Sequence, residues 1–508
     1  MFRTKWKVSV AAAVAVMLVL TGCSAESTPE PVVGGTLTIG DVAGPGSFDP
    51  VDAAGATTYP YYQAVYDSLL RAAPDGTIVP MLATTWTYND DETVLTLELR
   101  DDVEFADGAR FDAEVAKANL ERYRDSSATD ARTLAVLADV VVTGEFSLEL
   151  HLSQPDPAFL VYLTTAASYQ ANPAEFDNPD LATVPAGTGP YILDQERTVV
   201  GSEYVYTMNP DYWDPSLIHY EEIVIKVLQD TTARVNALQS GQVDVASASA
   251  ADRAVLEAAG LTTNRNAVNW FGLNFFDRDG VLNPALADIR VRQAIIHAID
   301  TSAILQSLAV GDGTLTGQIF PTRSEAYDAQ LDSAYPFDPE ESRRLLAEAG
   351  YADGLSIDMA STSGLIDPSY FTTLQQLLGD VGITVTFTEF PVADYVGNLL
   401  NGNYPMALFL FGQATDWEII NQYITPNARW NVFQVEDPTV AALVNDVQFG
   451  GPDVRSAALD ELNQYVIDNA WFGPWYRPDL LYFTNSTTSV EMQSGRAVPY
   501  IYNYSPIQ

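Results

Sequence analysis

The stretch that decides the fold reads Asn269-Trp270-Phe271-Gly272-Leu273-Asn274-Phe275-Phe276 and leads on to Asp300. Successive side chains of a β-strand point to opposite faces, so this stretch has two faces of different character. One face is apolar and is assigned to the core: Phe271, Leu273 and Phe275. The other face offers a ring, a gap and an amide: Trp270, Gly272 and Asn274. A gap between polar and aromatic groups suits the close approach of a ligand or of another backbone segment.

A helix is predicted to follow this strand after a loop. Asp288 is a favoured residue for its N-cap. Apolar residues recur behind it at helical spacing and form one buried stripe: Val291, Ala294, Ile295, Ala298 and Ile299. The opposite face is polar: Arg290, Gln293, His297 and Asp300. Further strands alternate with helices along the chain, which is typical of an α/β fold.

The helix and several other segments resemble one known family. The string Ile289-Arg290-Val291-Arg292-Gln293-Ala294-Ile295, ending in Ala298-Ile299-Asp300, is similar to a motif of extracytoplasmic solute-binding proteins of family 5. These proteins are the receptors of peptide- and nickel-type ABC importers. Further similar segments follow in the family's order between about Thr36 and about Asp468: Gly76 to Trp86, Arg100 to Val115, Thr188 to Tyr191, Asn209 to Trp213, Ser240 to Asp244, and Asp338 to Tyr351.

The resemblance implies a two-lobed, periplasmic-binding-protein-like α/β fold with an extra domain inserted in the first lobe. We place the first crossing between lobes near Asn269 and the return near Asn485. The expected parts are a signal peptide over 1–22, a lipidated cysteine and flexible tether over 23–34, the first-lobe core over 35–75, 188–268 and 486–508, the extra domain over 76–187, and the second lobe over 269–485.

Composition limits the classes of partner. The 508-residue chain carries 25 Lys+Arg against 67 Asp+Glu, a formal net charge of -42, and 47% of its residues are hydrophobic. The hydrophobic content argues against disorder, and the negative charge disfavours nucleic acid and anionic membrane as partners. The family resemblance implies a peptide or other small solute and the subunits of an ABC permease as partners. We expect a monomer.

The N-terminal residues have the pattern of an export signal. A basic start precedes an apolar run from Val8 to Leu20, which is too short for an ordinary membrane span. The run ends in Leu20-Thr21-Gly22-Cys23, which looks like a bacterial lipobox, so Cys23 is the expected lipidation site. The alternative is an ordinary signal peptide followed by a free thiol. We expect the mature protein at the outer face of the cytoplasmic membrane.

The sequence contains no motif of nucleophilic catalysis and no pattern of metal ligands. The histidines His151, His219 and His297 lack ligand spacing, and a surface or packing role is the ordinary one for histidine. We therefore predict no catalytic residue, no metal and no cofactor, and a binding protein rather than an enzyme. Two alternatives stay open: a sensor or chaperone on the same fold, and a secreted hydrolase with a carboxylate pair.

Candidate binding residues lie where strands of the α/β sheet end. The family places an aspartate near the end of the strand Met406 to Phe411, where peptide binders hold the ligand's amino terminus. Asp416 is the candidate here, with a helix N-cap as the alternative. The rings of Trp270, Trp417 and Trp430 could form an aromatic wall, with core packing as the alternative. The other candidates are Asn269, Arg429, Asn431, Phe48, Tyr59 and Gly189.

The chemical character of the ligand is predicted from an arginine that the sequence lacks before the helix near Pro368. Family members that bind short free peptides carry an arginine just before the helix that begins here near Pro368. The segment Ser361 to Tyr370 contains no arginine, and it carries Asp367, which would repel a carboxylate. We therefore predict a ligand with an amine or cationic end and an apolar body. A longer peptide and a non-peptide amine both fit this description.

Overall fold

The computed structural model describes residues 33–53, 57–128 and 130–507, so the predicted signal peptide and Cys23 lie outside the described residues. The strands are β1 (Gly34–Asp41), β2 (Leu70–Ala72), β3 (Ile78–Pro80), β4 (Ala83–Tyr88), β5 (Val94–Leu99), β6 (Leu137–Gly144), β7 (Ser147–Leu152), β8 (Tyr191–Leu193), β9 (Glu203–Met208), β10 (Tyr220–Val227), β11 (Val245–Ala248), β12 (Thr262–Ala267), β13 (Asn269–Phe275), β14 (Gly313–Leu315), β15 (Leu355–Ser361), β16 (Ile383–Glu389), β17 (Met406–Gly412), β18 (Phe472–Thr484), β19 (Thr488–Val490) and β20 (Tyr504–Pro506).

The α-helices of the same residues are α1 (Tyr59–Gln63), α2 (Ala113–Arg124), α3 (Phe159–Tyr162), α4 (Thr231–Gln239), α5 (Arg253–Ala258), α6 (Ile289–His297), α7 (Thr301–Ser307), α8 (Pro339–Glu348), α9 (Pro368–Gly379), α10 (Val392–Leu400), α11 (Asp416–Ile419), α12 (Pro438–Phe449) and α13 (Pro452–Asp468). Among the described residues, no helix combines the length and the apolar character that crossing a membrane requires.

One sheet joins the two lobes. Its strands follow the order β17-β13-β18-β11-β1-β10-β9-β8, and β12 and β14 also pair with β18. The first part of β18 pairs with β13, and its last residues pair with β11 and β12. The chain therefore crosses between the lobes at two places in this sheet. The first crossing lies beside Asn269, between β12 and β13, and the return lies within β18, ahead of Asn485.

The apolar face of β13 packs as its sequence pattern predicts. Phe271, Leu273 and Phe275 belong to one buried cluster with the stripe of α6. Asp288 caps α6 by accepting a hydrogen bond of 2.9 Å from the backbone N–H of Arg290. These contacts confirm the strand, the cap and the covering helix.

Gly272 explains the gap on the other face of β13. A Cβ at this position would lie 2.4 Å from the carbonyl oxygen of Gly473 and 2.7 Å from the Cα of Pro474. Both belong to β18, so the gap admits a neighbouring backbone rather than a ligand. The neighbouring strands β13 and β18 can approach closely because glycine stands here.

The extra domain is built on a separate antiparallel sheet with the order β4-β5-β7-β6. Alternate leucines of β5 and β7 turn to the inside and are buried: Leu95, Leu97, Leu99, Leu148, Leu150 and Leu152. Helix α2 covers this face with Ala116, Leu120 and Tyr123. Asp112 caps α2 by accepting a 2.9 Å hydrogen bond from the backbone N–H of Val115.

Two of the family-like segments meet at a buried carboxylate, Asp67. Its Oδ1 accepts a hydrogen bond from the Tyr212 hydroxyl (2.9 Å), and its Oδ2 accepts from the Trp213 indole (2.9 Å) and the Thr188 hydroxyl (3.0 Å). Burial raises the pKa of Asp67 to about 7, although these hydrogen bonds act to lower it. Thr188 and the Tyr212-Trp213 pair are therefore structural residues that tie the first lobe together.

Candidate functional site

Two cavities lie where the first lobe, the extra domain and the second lobe meet. Chamber 1, of about 400 Å³, is lined among others by Asp75, Arg323, Gln413, Asp416 and Gln493. Chamber 2, of about 610 Å³, is lined among others by Tyr59, Asp130, Asp156, Tyr162 and Trp430. Glu418 and Arg496 line both chambers, so the two chambers adjoin at these side chains and lie in the same cleft. Each volume lies in the range of small-molecule binding sites.

Chamber 2 combines aromatic surface with charges of both signs. Its rings are Tyr59, Tyr62, Tyr123, Tyr162 and Trp430. Its carboxylates are Asp130, Asp156 and Glu418, and its guanidinium groups are Arg132, Arg429 and Arg496. Aromatic rings supply contact area for an apolar body, and paired charges supply partners for a dipolar ligand. The chamber is therefore suited to a ligand that carries both an amine and a carboxylate.

Asp416 lines chamber 1 at the start of α11. The N-cap of this helix is Thr415, which forms a capping box with Glu418. Asp416 is therefore not the helix cap, which was the alternative role for this residue. The Asp416 carboxylate accepts hydrogen bonds from the Ser324 hydroxyl and from the backbone N–H of Glu325 (3.1 Å). Burial raises the pKa of Asp416, and these two hydrogen bonds act in the opposite direction.

Asp156 brings the extra domain into contact with the second lobe. Its pKa is raised to about 6. Burial is the main cause and the charge of Glu418 adds to it, whereas hydrogen bonds from the backbone N–H of Ala158 and the indole of Trp417 act to lower the pKa. Trp417 and Glu418 belong to α11, across the cleft from Asp156. The pKa of Asp156 therefore depends on residues from the opposite side of chamber 2.

The two sides of the cleft are also linked outside the chambers. Arg455 of α13 forms an ion pair of 2.6 Å with Glu92 of the extra domain. Gln448 of α12 donates a hydrogen bond of 3.0 Å to the carbonyl oxygen of Pro155. These contacts hold the second lobe against the extra domain beside chamber 2.

Some of the residues singled out from the sequence line the cleft. Asp416 lines chamber 1, and Tyr59, Arg429 and Trp430 line chamber 2. The Arg429 guanidinium lies 5.7 Å from the centre of the Trp430 ring. Trp417 is buried beside Asp156, so its indole supports the chamber wall from behind.

Other predicted residues are held by internal packing and line neither chamber. Trp270 is 0% exposed and stacks on Phe411 with ring centroids 4.4 Å apart, so the aromatic wall does not include it. Asn431 is buried and donates to the carbonyl oxygen of Val435 (2.9 Å), which orders its own loop. Asn269 pairs with Gly412 at the start of β13.

Of the three candidates in the first lobe, Tyr59 lines chamber 2, whereas Phe48 and Gly189 line neither chamber. Phe48 is buried, and its ring packs edge-on against those of Tyr62 and Tyr204. Gly189 lies against backbone, because a Cβ there would be 2.4 Å from the carbonyl carbon of Val65. Both residues therefore shape the lobe that carries Tyr59 rather than the chamber itself.

The sequence reasoning missed Glu418, Arg496, Asp156 and Arg132. Glu418 carries the signature of a capping box, Thr-x-x-Glu, which predicts a structural role rather than a ligand contact. Arg496 follows the return into the first lobe, beyond the last family-like segment. Only the tertiary structure brings these residues to one cleft.

A two-lobed α/β fold with a charged and aromatic cleft between the lobes defines an extracytoplasmic solute-binding protein. Residues 77–425 match the family model described as Bacterial extracellular solute-binding proteins, family 5 Middle, and the chain belongs to this family. Proteins of the family bind peptides or other small solutes outside the cytoplasm and work with ABC permeases. They are binding proteins rather than enzymes, as the sequence predicted.

Comparison with individual proteins agrees with this assignment. The chain is 28% identical over 351 residues to the glutathione-binding protein GsiB of Salmonella paratyphi A, covering 67% of each chain. The structure of HbpA2 from Haemophilus parasuis has a TM-score of 0.82 at 20% identity, covering 93% of this chain and 100% of that one. The periplasmic binding protein DppA from Helicobacter pylori, in complex with the peptide STSA, has a TM-score of 0.75 at 19% identity, covering 94% and 99%. These likenesses confirm the two-lobed fold.

Proposed function

We propose that the protein captures a peptide in the two chambers, as a monomer, and delivers it to an ABC permease. The observation that carries this proposal is the lining of the cleft. Carboxylates and guanidinium groups lie together around tyrosine and tryptophan rings in chamber 2. A peptide presents an amine, a carboxylate and apolar side chains within a short distance, so it uses all three kinds of surface.

The names of similar proteins support a peptide as the solute class. GsiB is a glutathione-binding protein, and the matched DppA structure contains the peptide STSA. The segment Ser361 to Tyr370, which carries no arginine, lines neither chamber. Arg496, Arg429 and Arg132 line the cleft instead, and we infer that the ligand's carboxylate meets one of them. The expected ligand therefore has an amine end, an apolar body and a carboxylate.

We further infer that Asp416 holds the amine end of the peptide in chamber 1. Asp416→Ala is expected to weaken the binding of peptides with a free amine about tenfold, because a charge-assisted hydrogen bond is lost. Calorimetry against dipeptides, longer peptides and simple amines measures this change. N-acetylated peptides are the matched control, since they lack the ammonium group and their affinity should not depend on Asp416. Tight binding of dipeptides that is undiminished in Asp416→Ala would contradict the assignment.

We also propose that Cys23 is lipidated and anchors the protein at the outer face of the cytoplasmic membrane. The support is the lipobox-like Leu20-Thr21-Gly22-Cys23 behind a short apolar run. Cys23→Ala is expected to shift the protein from the membrane fraction to the medium, or to leave it with its leader uncleaved. Fractionation of cells and mass spectrometry of the N-terminus check this result. Normal processing and full membrane retention of Cys23→Ala would refute the anchor.

A further inference from the structure

Gln413 occupies a distinctive place in chamber 1. It follows the last residue of β17, and its backbone N–H donates a hydrogen bond of 2.8 Å to the carbonyl oxygen of Val268. Its backbone is therefore fixed where the chain crosses between lobes. The residue lines chamber 1 together with Asp416 and is only 7% exposed.

The side-chain amide of Gln413 has no hydrogen-bond partner among the described residues. Both Oε1 and Nε2 are buried, and neither forms a hydrogen bond with the protein. Burying an amide without partners is costly, and such groups are rare in folded proteins. An unpaired amide that lines a ligand-sized chamber is accounted for if a ligand supplies its partners.

A second glutamine of the same chamber shows that pairing is possible there. The Gln493 Nε2 donates to the carbonyl oxygen of Ala73 (2.6 Å), and its Oε1 accepts from the Asn503 amide (3.0 Å). Gln493 is also fully buried and also lines chamber 1. The two residues differ in that Gln493 is bound to the protein and Gln413 is not.

The two polar atoms of the Gln413 side chain determine which ligand groups can pair with it. Oε1 needs a donor and Nε2 needs an acceptor. A carboxylate satisfies Nε2 alone, and an ammonium group satisfies Oε1 alone. An extended peptide satisfies both, because the N–H and the C=O of one residue belong to successive trans peptide groups and point to the same side of the chain.

We propose that Gln413 recognises the backbone of one residue of a peptide solute in chamber 1, accepting from its N–H through Oε1 and donating to its C=O through Nε2. This inference rests on the proposed function and deepens it. Charged ends can be held by Asp416 and the arginines of the cleft, whereas Gln413 favours a peptide, which presents a donor and an acceptor side by side, over a simple amine, which presents a donor alone. Gln413 is then a residue that determines specificity.

The test uses the full chain with Gln413→Met, which keeps the length of the side chain and removes its polar atoms. The melting temperature without ligand is expected to rise, because a buried unpaired amide is removed. The affinity for a tetrapeptide such as Ser-Thr-Ser-Ala, or for the best binder of a peptide series, is expected to fall about tenfold. Gln493→Met is the matched control and should lower the melting temperature, since it removes two hydrogen bonds.

Ester analogues of the same peptide identify the group that Gln413 contacts. Each amide is replaced in turn by an ester, which lacks the N–H donor. One ester should weaken binding to the wild-type protein and leave binding to Gln413→Met unchanged. Equal losses in both proteins at every position, or an unchanged affinity of Gln413→Met for the peptide, would overturn the role of Gln413 and leave the peptide function intact. A wild-type protein that binds no peptide of the series would overturn the proposed function and this inference together.

Discussion

Asp67→Ala is expected to lower the free energy of unfolding by about 3 kcal/mol. The substitution leaves the hydroxyls of Tyr212 and Thr188 and the indole of Trp213 without their shared acceptor in a fully buried site. A buried donor that loses its acceptor destabilises the folded state, because the cost of its desolvation is no longer offset by a hydrogen bond. Urea unfolding followed by circular dichroism at pH 8, where the Asp67 carboxyl is ionised because its pKa is about 7, measures the change.

Asp211→Ala is the matched control for this substitution. Asp211 stands in the same segment as Tyr212 and Trp213 but is exposed, so its loss should change the stability by less than about 0.5 kcal/mol. An Asp67→Ala protein that unfolds at the same urea concentration as the wild type would show that the first lobe does not depend on this cluster.

Arg496→Ala is expected to have the largest effect on binding, a loss of about 2–4 kcal/mol in affinity for a peptide with a free carboxylate. Arg496 lines both chambers, and its guanidinium lies 5.5 Å from the centre of the Tyr59 ring. Removing it takes a positive charge and a stacking surface from the wall that the two chambers share. Calorimetry with the same peptide for both proteins gives the difference.

Two controls separate the local role of Arg496 from its contribution to net charge. Arg344→Ala removes an exposed arginine that pairs with Glu341 and Glu348 on α8, and it should leave peptide affinity unchanged. A peptide with an amidated C-terminus should bind the wild type and Arg496→Ala with similar affinity. A dissociation constant of Arg496→Ala within a factor of two of the wild-type value would contradict the role assigned to this residue.

The local parts of the fold could be predicted because they depend on neighbours in sequence. The alternation of Phe271, Leu273 and Phe275 defines the core face of β13, and Asp288 marks the start of α6. The ordered family-like segments identify the class. The cluster at Asp67 could not be predicted, because its donors come from segments more than one hundred residues away. The family-like patterns of these segments do not state which residue they meet.

Only part of the site could be predicted, because tertiary packing decides which side chains reach the cleft. Asp416 follows the end of β17, and that position alone points to the cleft, whereas Arg429 and Trp430 lie beyond α11 in a loop. Trp270 has the same residue type as Trp430, yet the rings of Phe411, Tyr423 and Phe472 pack around it and leave it 0% exposed. Burial of a large ring depends on what packs against it, which the sequence around the ring does not state. Arg496 and Asp156 reach the cleft only through the assembly of lobes.

Hydrogen exchange of the full chain, with and without a saturating peptide identified by calorimetry, tests the central claim most directly. The claim is that the solute is held between the lobes, in contact with both. Backbone amides of Gln413 to Glu418 in the second lobe and of Gln493 to Arg496 in the first lobe should both exchange more slowly when peptide is bound. Slower exchange in one of these segments alone, or in neither while calorimetry records binding, would contradict the account.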